Sequence, residues 1–215
     1  MSARTRIKIC GVSRPEDVTA AVDAGADAVG FVFHPDSPRF VSLERASMLA
    51  RGLPPYVTAV GLFVNAEPQE IAAAVAAIPS LVLQFHGDEN ASECAASGRP
   101  FLKAARMAPG FDLLDFARRF SEAQGLLLDA HVEAYGGSGK VFDWSLVPRA
   151  VPHRLVLSGG LHAANVGFGI LEIRPWAVDV SSGVESSRGV KDAAAIRAFC
   201  DAVRDADSRI DASIS

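Results

Sequence analysis

The sequence predicts a single-domain α/β protein with the (β/α)8 architecture of a TIM barrel. Eight short runs rich in Val, Ile, Leu and Phe are spread over its 215 residues, and amphipathic stretches separate them. Runs that are apolar throughout are typical of parallel strands that helices cover. The predicted strands begin at Arg6, Ala28, Val57, Leu81, Phe101, Gly125, Arg154 and Ala177.

The stretches between these strands carry signals of helix boundaries. Their apolar residues recur at helical spacing, and the first and third stretches open on Pro with acidic residues nearby. Proline fits the first turn of a helix, and Gly25 closes the first stretch as glycine commonly ends helices. The clearest predicted helices span residues 15–25, 43–53, 68–78 and 191–206, and residues 87–98 give the weakest pattern.

A doubly wound open sheet is the alternative for alternating strands and helices. Dinucleotide-binding sheets of that class carry a GxGxxG turn after the first strand, whereas residues 10–17 of this chain read CGVSRPED. The count of eight strands and the missing turn favour the barrel. We expect the barrel to occupy residues 1–206 and residues 207–215 to form a polar, frayed tail.

Charge and composition argue against several classes of partner. The chain has 21 Lys plus Arg and 25 Asp plus Glu, so it offers no excess of positive charge to a nucleic-acid backbone. No apolar run approaches the ~18 residues that span a bilayer, and the N-terminus lacks an apolar signal core. We therefore expect a cytoplasmic protein that binds neither nucleic acid nor a membrane.

Cysteine and histidine spacing does not support a metal site. Cys10, Cys94 and Cys200 are widely separated and form no CxxC pair, and the five histidines show no HExxH or HxH pattern. An odd number of scattered cysteines fits a reducing compartment. We expect no bound metal.

Two polar residues stand where a barrel places its catalytic groups, at the C-terminal ends of strands. If Ile7 and Ile9 face the helices, strand alternation turns Lys8 and Cys10 into the barrel, with Cys10 at the upper end. Asp129 ends the sixth strand directly after three leucines. A buried cysteine is commonly only a small apolar residue, but a carboxyl group there must be paired, hydrated or functional.

Small glycine-rich turns follow the seventh and eighth strands: Ser158-Gly159-Gly160 and Ser181-Ser182-Gly183. Glycine also serves tight turns, but barrels commonly bind phosphate at these two positions through backbone N–H groups and a helix N-terminus. The sequence therefore predicts that both turns form a phosphate site.

A third glycine-rich segment, residues 136–140, is similar to a Walker phosphate loop. However, Ala134 and Val141 replace the Gly and the Ser or Thr that a Walker motif requires. We interpret the long connection after Asp129 as a mobile lid over the site.

Short motifs along nearly the whole chain resemble the phosphoribosylanthranilate isomerase family. They are KICG at residues 8–11, SPR at 37–39, GLFVN at 61–65, QFHGDE at 84–89, LLLDA at 126–130, GGSGKVFDW at 136–144, LSGGL at 157–161 with Asn165, and DVSSGVE at 179–185 followed by GVKD. Each motif is weak alone, but eight in order on the predicted strands make a specific signal.

The resemblance implies an Amadori rearrangement in tryptophan biosynthesis, which needs no cofactor. N-(5'-phosphoribosyl)anthranilate would become 1-(o-carboxyphenylamino)-1-deoxyribulose 5-phosphate, with Asp129 as the general acid and Cys10 as the base. Arg39 would bind the anthranilate carboxylate, and Asp179 would contact the ribose hydroxyls. A carboxyl group among leucines can stay protonated, in agreement with the role of Asp129. Lys8 would favour a thiolate at Cys10, or would serve only as an ion-pair partner inside the barrel.

Two other functions are compatible with a phosphate-binding barrel. A ring-closing indole-glycerol-phosphate synthase should need an inward lysine as acid with a glutamate partner, whereas the candidates here are Cys10 and Asp129. A phosphosugar-binding module without catalysis would have no use for an inward acid and base. The sequence is compatible with a monomer or a homodimer.

Overall fold

Eight parallel strands close into a barrel in the computed structural model, which describes residues 4–130 and 143–212. Each strand pairs with the next one in the sequence, and β8 pairs with β1. The predicted fold class is confirmed. The strands are β1 (Arg6–Cys10), β2 (Ala28–Val32), β3 (Thr58–Phe63), β4 (Val82–Phe85), β5 (Phe101–Met107), β6 (Gly125–Ala130), β7 (Arg154–Leu157) and β8 (Ala177–Val180).

Helices cover the barrel, and the first three begin at the residues that the boundary signals indicate. Pro68 starts α3, and the backbone N–H of the preceding Glu67 donates to the Glu70 carboxylate at 2.9 Å. Ser42 caps α2 through its hydroxyl group. The α-helices in the described residues are α1 (Pro15–Asp23), α2 (Leu43–Arg51), α3 (Pro68–Ala77), α4 (Ala91–Ala95), α5 (Leu113–Arg119), α6 (Val166–Ile173) and α7 (Ala193–Ala212).

Strand alternation divides the core into an inner and an outer layer. A small inner cluster of Ala104, Leu127, Val156 and Ala177 fills the barrel. Ile7 and Ile9 belong to the larger cluster between strands and helices. Lys8 pairs in register with Asp179 of β8, and the two side chains meet inside the barrel. The predicted inward orientation of Lys8 is therefore confirmed.

The connection from β6 to β7 departs from the eight predicted strand-helix units. Its described part holds a short 3-10 helix, Trp144–Leu146, in place of an α-helix. The Trp144 ring packs against Phe168 of α6, with ring centroids 5.6 Å apart. A Cβ at Gly169 would lie 3.0 Å from the Trp144 ring, so the glycine makes room for this large side chain. The predicted lid and the Walker-like segment fall mainly on residues 131–142, outside the described residues.

The C-terminus also differs from the prediction. A two-stranded hairpin of β9 (Glu185–Ser187) and β10 (Val190–Lys191) follows β8, so α7 begins at Ala193 rather than at Lys191. The helix then continues to Ala212, through most of the segment that was expected to form a frayed tail from residue 207. Ile210 is buried, and Asp207 accepts hydrogen bonds from the N–H and hydroxyl groups of Thr5 at 2.8 and 2.7 Å.

Within the described residues, no helix combines the length and the apolarity needed to cross a bilayer.

Candidate active site

Cys10 ends β1 at the upper mouth of the barrel, with 5% of its surface exposed. A Cβ at Gly30 would lie 2.9 Å from Cys10 Sγ and 3.0 Å from Lys8 Nζ. Residue 30 must therefore lack a side chain for the thiol and the ammonium group to meet. Lys8 Nζ also donates to Asp179 Oδ1 at 2.9 Å, which gives a buried cluster of three groups.

Burial and the neighbouring lysine charges have opposite effects on the pKa of Cys10. Burial raises the pKa of the Cys10 thiol, while Lys8 and Lys191 partly offset the change. Burial alone would lower the pKa of Lys8, but Asp179 and Cys10 together outweigh it, and the pKa of Lys8 is raised. Lys8 is therefore a cation, and it stands beside a thiol that would become an anion on losing its proton.

Asp129 stands at the same end of the barrel, as the second-last residue of β6. Its side chain is 25% exposed, and its Oδ2 lies 2.9 Å from His86 Nε2. The carboxyl group thus points to the open mouth rather than lying among the preceding leucines. Sequence reasoning missed His86, although it directly follows β4 in the QFHGDE motif.

Arg39 lies in the loop after β2, and its side chain packs against the backbone of Gly11, the residue after Cys10. Gly11 has a φ of +74°, and a Cβ there would lie 2.5 Å from Arg39 Cδ. The guanidinium group donates from Nε to Glu185 Oε1 at 2.6 Å and from Nη2 to Oε2 at 2.9 Å. Among the described residues, Glu185 alone bonds the guanidinium group, through Nε and Nη2, and Nη1 remains for another carboxylate. Glu185 is a second residue that the sequence reasoning missed.

The two predicted phosphate loops are in direct contact. Gly159 and Gly160 both have a positive φ, 78° and 65°. A Cβ at Gly183 would lie only 1.8 Å from the Leu161 carbonyl oxygen, so only glycine fits this contact. Asn165 donates to the Gly160 carbonyl at 3.0 Å and thereby fixes the first loop.

The second loop adjoins the candidate base. Ser181 donates from its hydroxyl group to the Cys10 carbonyl at 3.1 Å, and Ser182 starts a 3-10 helix. Lys191, a third residue that the sequence reasoning missed, donates to the Ser181 carbonyl at 3.0 Å. The structure thus brings the residues predicted from sequence to the C-terminal ends of the strands; their chemical roles remain predictions.

Comparisons with known proteins agree with this arrangement. The family model described as N-(5'phosphoribosyl)anthranilate (PRA) isomerase matches residues 7–202. The N-(5'-phosphoribosyl)anthranilate isomerase of Methylibium petroleiphilum is 70% identical over 210 residues, which cover 98% of this chain and 99% of the relative.

Solved structures with the same fold carry the same family name. The phosphoribosyl anthranilate isomerase of Thermotoga maritima has a TM-score of 0.83 and 42% identity, and covers 94% of this chain and 99% of its own. Another such isomerase, in complex with reduced 1-(o-carboxyphenylamino)-1-deoxyribulose 5-phosphate, has a TM-score of 0.79 and 39% identity, with the same coverage. Because the family model spans most of the barrel and the identity is high over nearly the full length, this chain belongs to the N-(5'-phosphoribosyl)anthranilate isomerase family.

Proposed function

We propose that this chain isomerises N-(5'-phosphoribosyl)anthranilate to 1-(o-carboxyphenylamino)-1-deoxyribulose 5-phosphate, a step of tryptophan biosynthesis, with Asp129 as acid and Cys10 as base. The observation that carries the proposal is that both groups stand at one barrel mouth, each with its own polar partner. An Amadori rearrangement requires one acid and one base on the sugar. Membership of the family supports the same reaction.

Asp129 performs the first proton transfer in this proposal. It donates a proton to the ring oxygen of the ribose, and the bond between that oxygen and C1' breaks. The nitrogen lone pair forms a C=N bond to C1', so the ring opens to a protonated Schiff base. The 2.9 Å contact with His86 Nε2 orients the Asp129 carboxyl group for this step.

Cys10 performs the second proton transfer. Its thiolate removes the proton from C2', and the released electron pair forms the C1'=C2' bond as the C=N electrons return to nitrogen. The resulting enolamine takes up a proton at C1' while its C2' hydroxyl group loses one, which gives the aminoketone. The Lys8 ammonium group beside Cys10 favours the thiolate that this step requires.

The anionic ends of the substrate would hold it between these groups. The anthranilate carboxylate binds the Nη1 side of the Arg39 guanidinium group, a planar fork suited to carboxylates. The phosphate binds the touching loops of Gly159, Gly160, Ser182 and Gly183 through backbone N–H groups. With the carboxylate and the phosphate bound at these two places, the ribose would lie between them across the barrel mouth.

Asp179 has a different environment from the one expected for a simple hydroxyl ligand. Its Oδ1 accepts from Lys8, and only 5% of its side chain is exposed. In this proposal it contacts the ribose hydroxyls with its remaining acceptor sites and keeps Lys8 in place.

All of these groups come from one chain, so either a monomer or a homodimer would contain complete sites. The partners are small phosphorylated molecules rather than nucleic acid or membrane. The described cysteines are buried and unpaired, as a cytoplasmic location requires.

The activity can be tested with the purified chain and the fluorescent anthranilate substrate. Catalysed loss of the fluorescence with formation of the aminoketone is expected. Binding without turnover would instead support a phosphosugar-binding module. Growth of a tryptophan auxotroph that lacks this isomerase provides an independent test.

A further inference from the structure

The hairpin of β9 and β10 returns two charged side chains to the barrel mouth. Gly189, at its turn, has a φ of +82°, and a Cβ there would lie 2.6 Å from the Pro38 carbonyl oxygen. The Gly189 N–H donates to Glu185 Oε2 at 3.2 Å. The hairpin therefore packs tightly against the loop that carries Arg39.

The Glu185 carboxylate joins two cations. Its Oε1 accepts from Arg39 Nε at 2.6 Å and from Lys191 Nζ at 2.8 Å. The side chains of Lys191 and Glu185 are 1% and 5% exposed, so solvent screens this contact little. Burial works to raise the pKa of Glu185, but hydrogen bonds from Arg39 and Lys191 keep it below its usual value.

Lys191 is held in one position beside Cys10. Its ammonium group donates to the carbonyl oxygen of Ser181 at 3.0 Å, to the Ser181 hydroxyl at 3.3 Å and to Glu185 at 2.8 Å. Three acceptors match the three N–H groups of a charged lysine. Because the same Ser181 hydroxyl donates to the Cys10 carbonyl, a single side chain links the ammonium group to the backbone of Cys10.

The charges around Cys10 do not balance while it is a thiol. Within the part of the chain that the structure describes, five charged side chains lie around Cys10 and the adjoining Gly11: Lys8, Arg39, Lys191, Asp179 and Glu185. Three are cations and two are carboxylates, so one positive charge is in excess. A thiolate at Cys10 would neutralise that excess.

We propose that Lys191 is a positioning residue whose charge favours the Cys10 thiolate, and that Glu185 fixes it in place while also holding Arg39. The consequence for turnover rests on the proposed function. Burial lowers the pKa of Lys191, with Glu185 opposing the change, and the charge of Lys191 lowers the pKa of Cys10. The hairpin would thus connect recognition of the substrate carboxylate with activation of the base.

The test is a titration of Cys10 in the wild type and in Lys191→Met, followed by the ultraviolet absorbance of the thiolate. The absorbance of each protein is compared with that of the same chain carrying Cys10→Ala. The difference between the two titration curves then reports Cys10 alone, without Cys94 and Cys200. Burial raises the pKa of each of those two thiols to about 11. We expect Lys191→Met to raise the Cys10 midpoint, by an amount on the order of 1 pH unit, because a cation that favours the thiolate is lost.

Lys103→Met is the matched control. Lys103 is also a buried lysine with a glutamate partner, since its Nζ donates to Glu89 Oε2 at 2.8 Å, but it faces the helices beside β5. This variant should leave the Cys10 midpoint where the wild type has it. Lys191→Arg, which keeps the charge, should restore a midpoint near that of the wild type.

An unchanged Cys10 midpoint in folded Lys191→Met would overturn the inference, as would an equal shift in Lys103→Met. If Lys191→Met does not fold, Lys191→Gln carries the same expectation, because it removes the charge and keeps N–H donors. In variants that shift by one unit, kcat/KM near neutral pH should fall about tenfold. The titration needs no substrate, so a wild type that lacks isomerase activity contradicts the proposed function without deciding the role of Lys191.

Discussion

His86 Nε2 lies 2.9 Å from Asp129 Oδ2, and the two side chains reach each other from the ends of β4 and β6 across the intervening strand β5. The loop that carries His86 is fixed by its neighbours. Asn65 Oδ1 accepts from the Asp88 N–H at 2.7 Å, and Lys103 Nζ donates to the Gly87 carbonyl at 2.8 Å. The partner of the proposed acid is therefore followed directly by two residues, Gly87 and Asp88, that hydrogen bonds hold in place.

Replacing His86 should disturb the acid and not the fold. We expect His86→Ala to lower kcat by ~10-fold or more, because the Asp129 carboxyl loses the group that orients it. His153→Ala is a suitable control, since His153 contacts the Phe120 carbonyl away from the barrel mouth. Equal kcat in His86→Ala and the wild type would show that this contact does not serve the proton transfer.

Gly30 should be sensitive to a single added methyl group. In Gly30→Ala the new Cβ would lie 2.9 Å from Cys10 Sγ and 3.0 Å from Lys8 Nζ, so both groups must move. A displacement of ~1 Å at a reacting group can cost about 10²-fold in rate, and we expect a loss of that order. In Gly167→Ala the Cβ would meet no atom closer than 3.8 Å, so this control should keep its activity. The comparison requires kcat for both variants.

The pair of Lys8 and Asp179 should contribute to stability as well as to the site. Both side chains are about 5% exposed, and removing one partner leaves a buried charge uncompensated. Asp179→Asn should lower the free energy of unfolding by about 3 kcal/mol. Asp201→Asn, which breaks an exposed pair with Arg204, should cost less than ~1 kcal/mol. Urea denaturation measures both, and similar losses would contradict the structural role of Asp179.

The pH profile of kcat/KM should fall at its alkaline end as Cys10 titrates. Burial raises the pKa of Cys10 above the ordinary 9.0, so the thiol still holds a proton near neutral pH. Acid-base catalysis by Cys10 and Asp129 needs one proton on the pair. Above the pKa of Cys10 the pair no longer holds that proton, so no general acid remains and the rate falls. We expect the alkaline limb above pH 9.0. Asp179→Asn should move it to lower pH, because the charge of Asp179 raises the pKa of Cys10. A limb below pH 9.0 in the wild type would argue against this assignment.

Strand periodicity was enough to predict which residues of β1 face the barrel, because the outer layer is apolar and the strand repeats every two residues. The strand ends also identified Cys10 and Asp129. His86, Glu185 and Lys191 could not be found this way. Their roles depend on which loops meet above the barrel, and residues such as Arg39 and Glu185 are 146 positions apart in the sequence. The extended α7 was missed because Ile210 is an isolated apolar residue in a polar segment.

The central claim is that Cys10 and Asp129 transfer protons while other groups hold the substrate. Steady-state kinetics of Cys10→Ala and Asp129→Asn test it most directly. Each variant should lower kcat by at least ~10²-fold, the usual scale for losing a general base or acid. KM should change little, because the carboxylate and phosphate anchors remain. Turnover of Cys10→Ala at a rate close to that of the wild type would contradict the account.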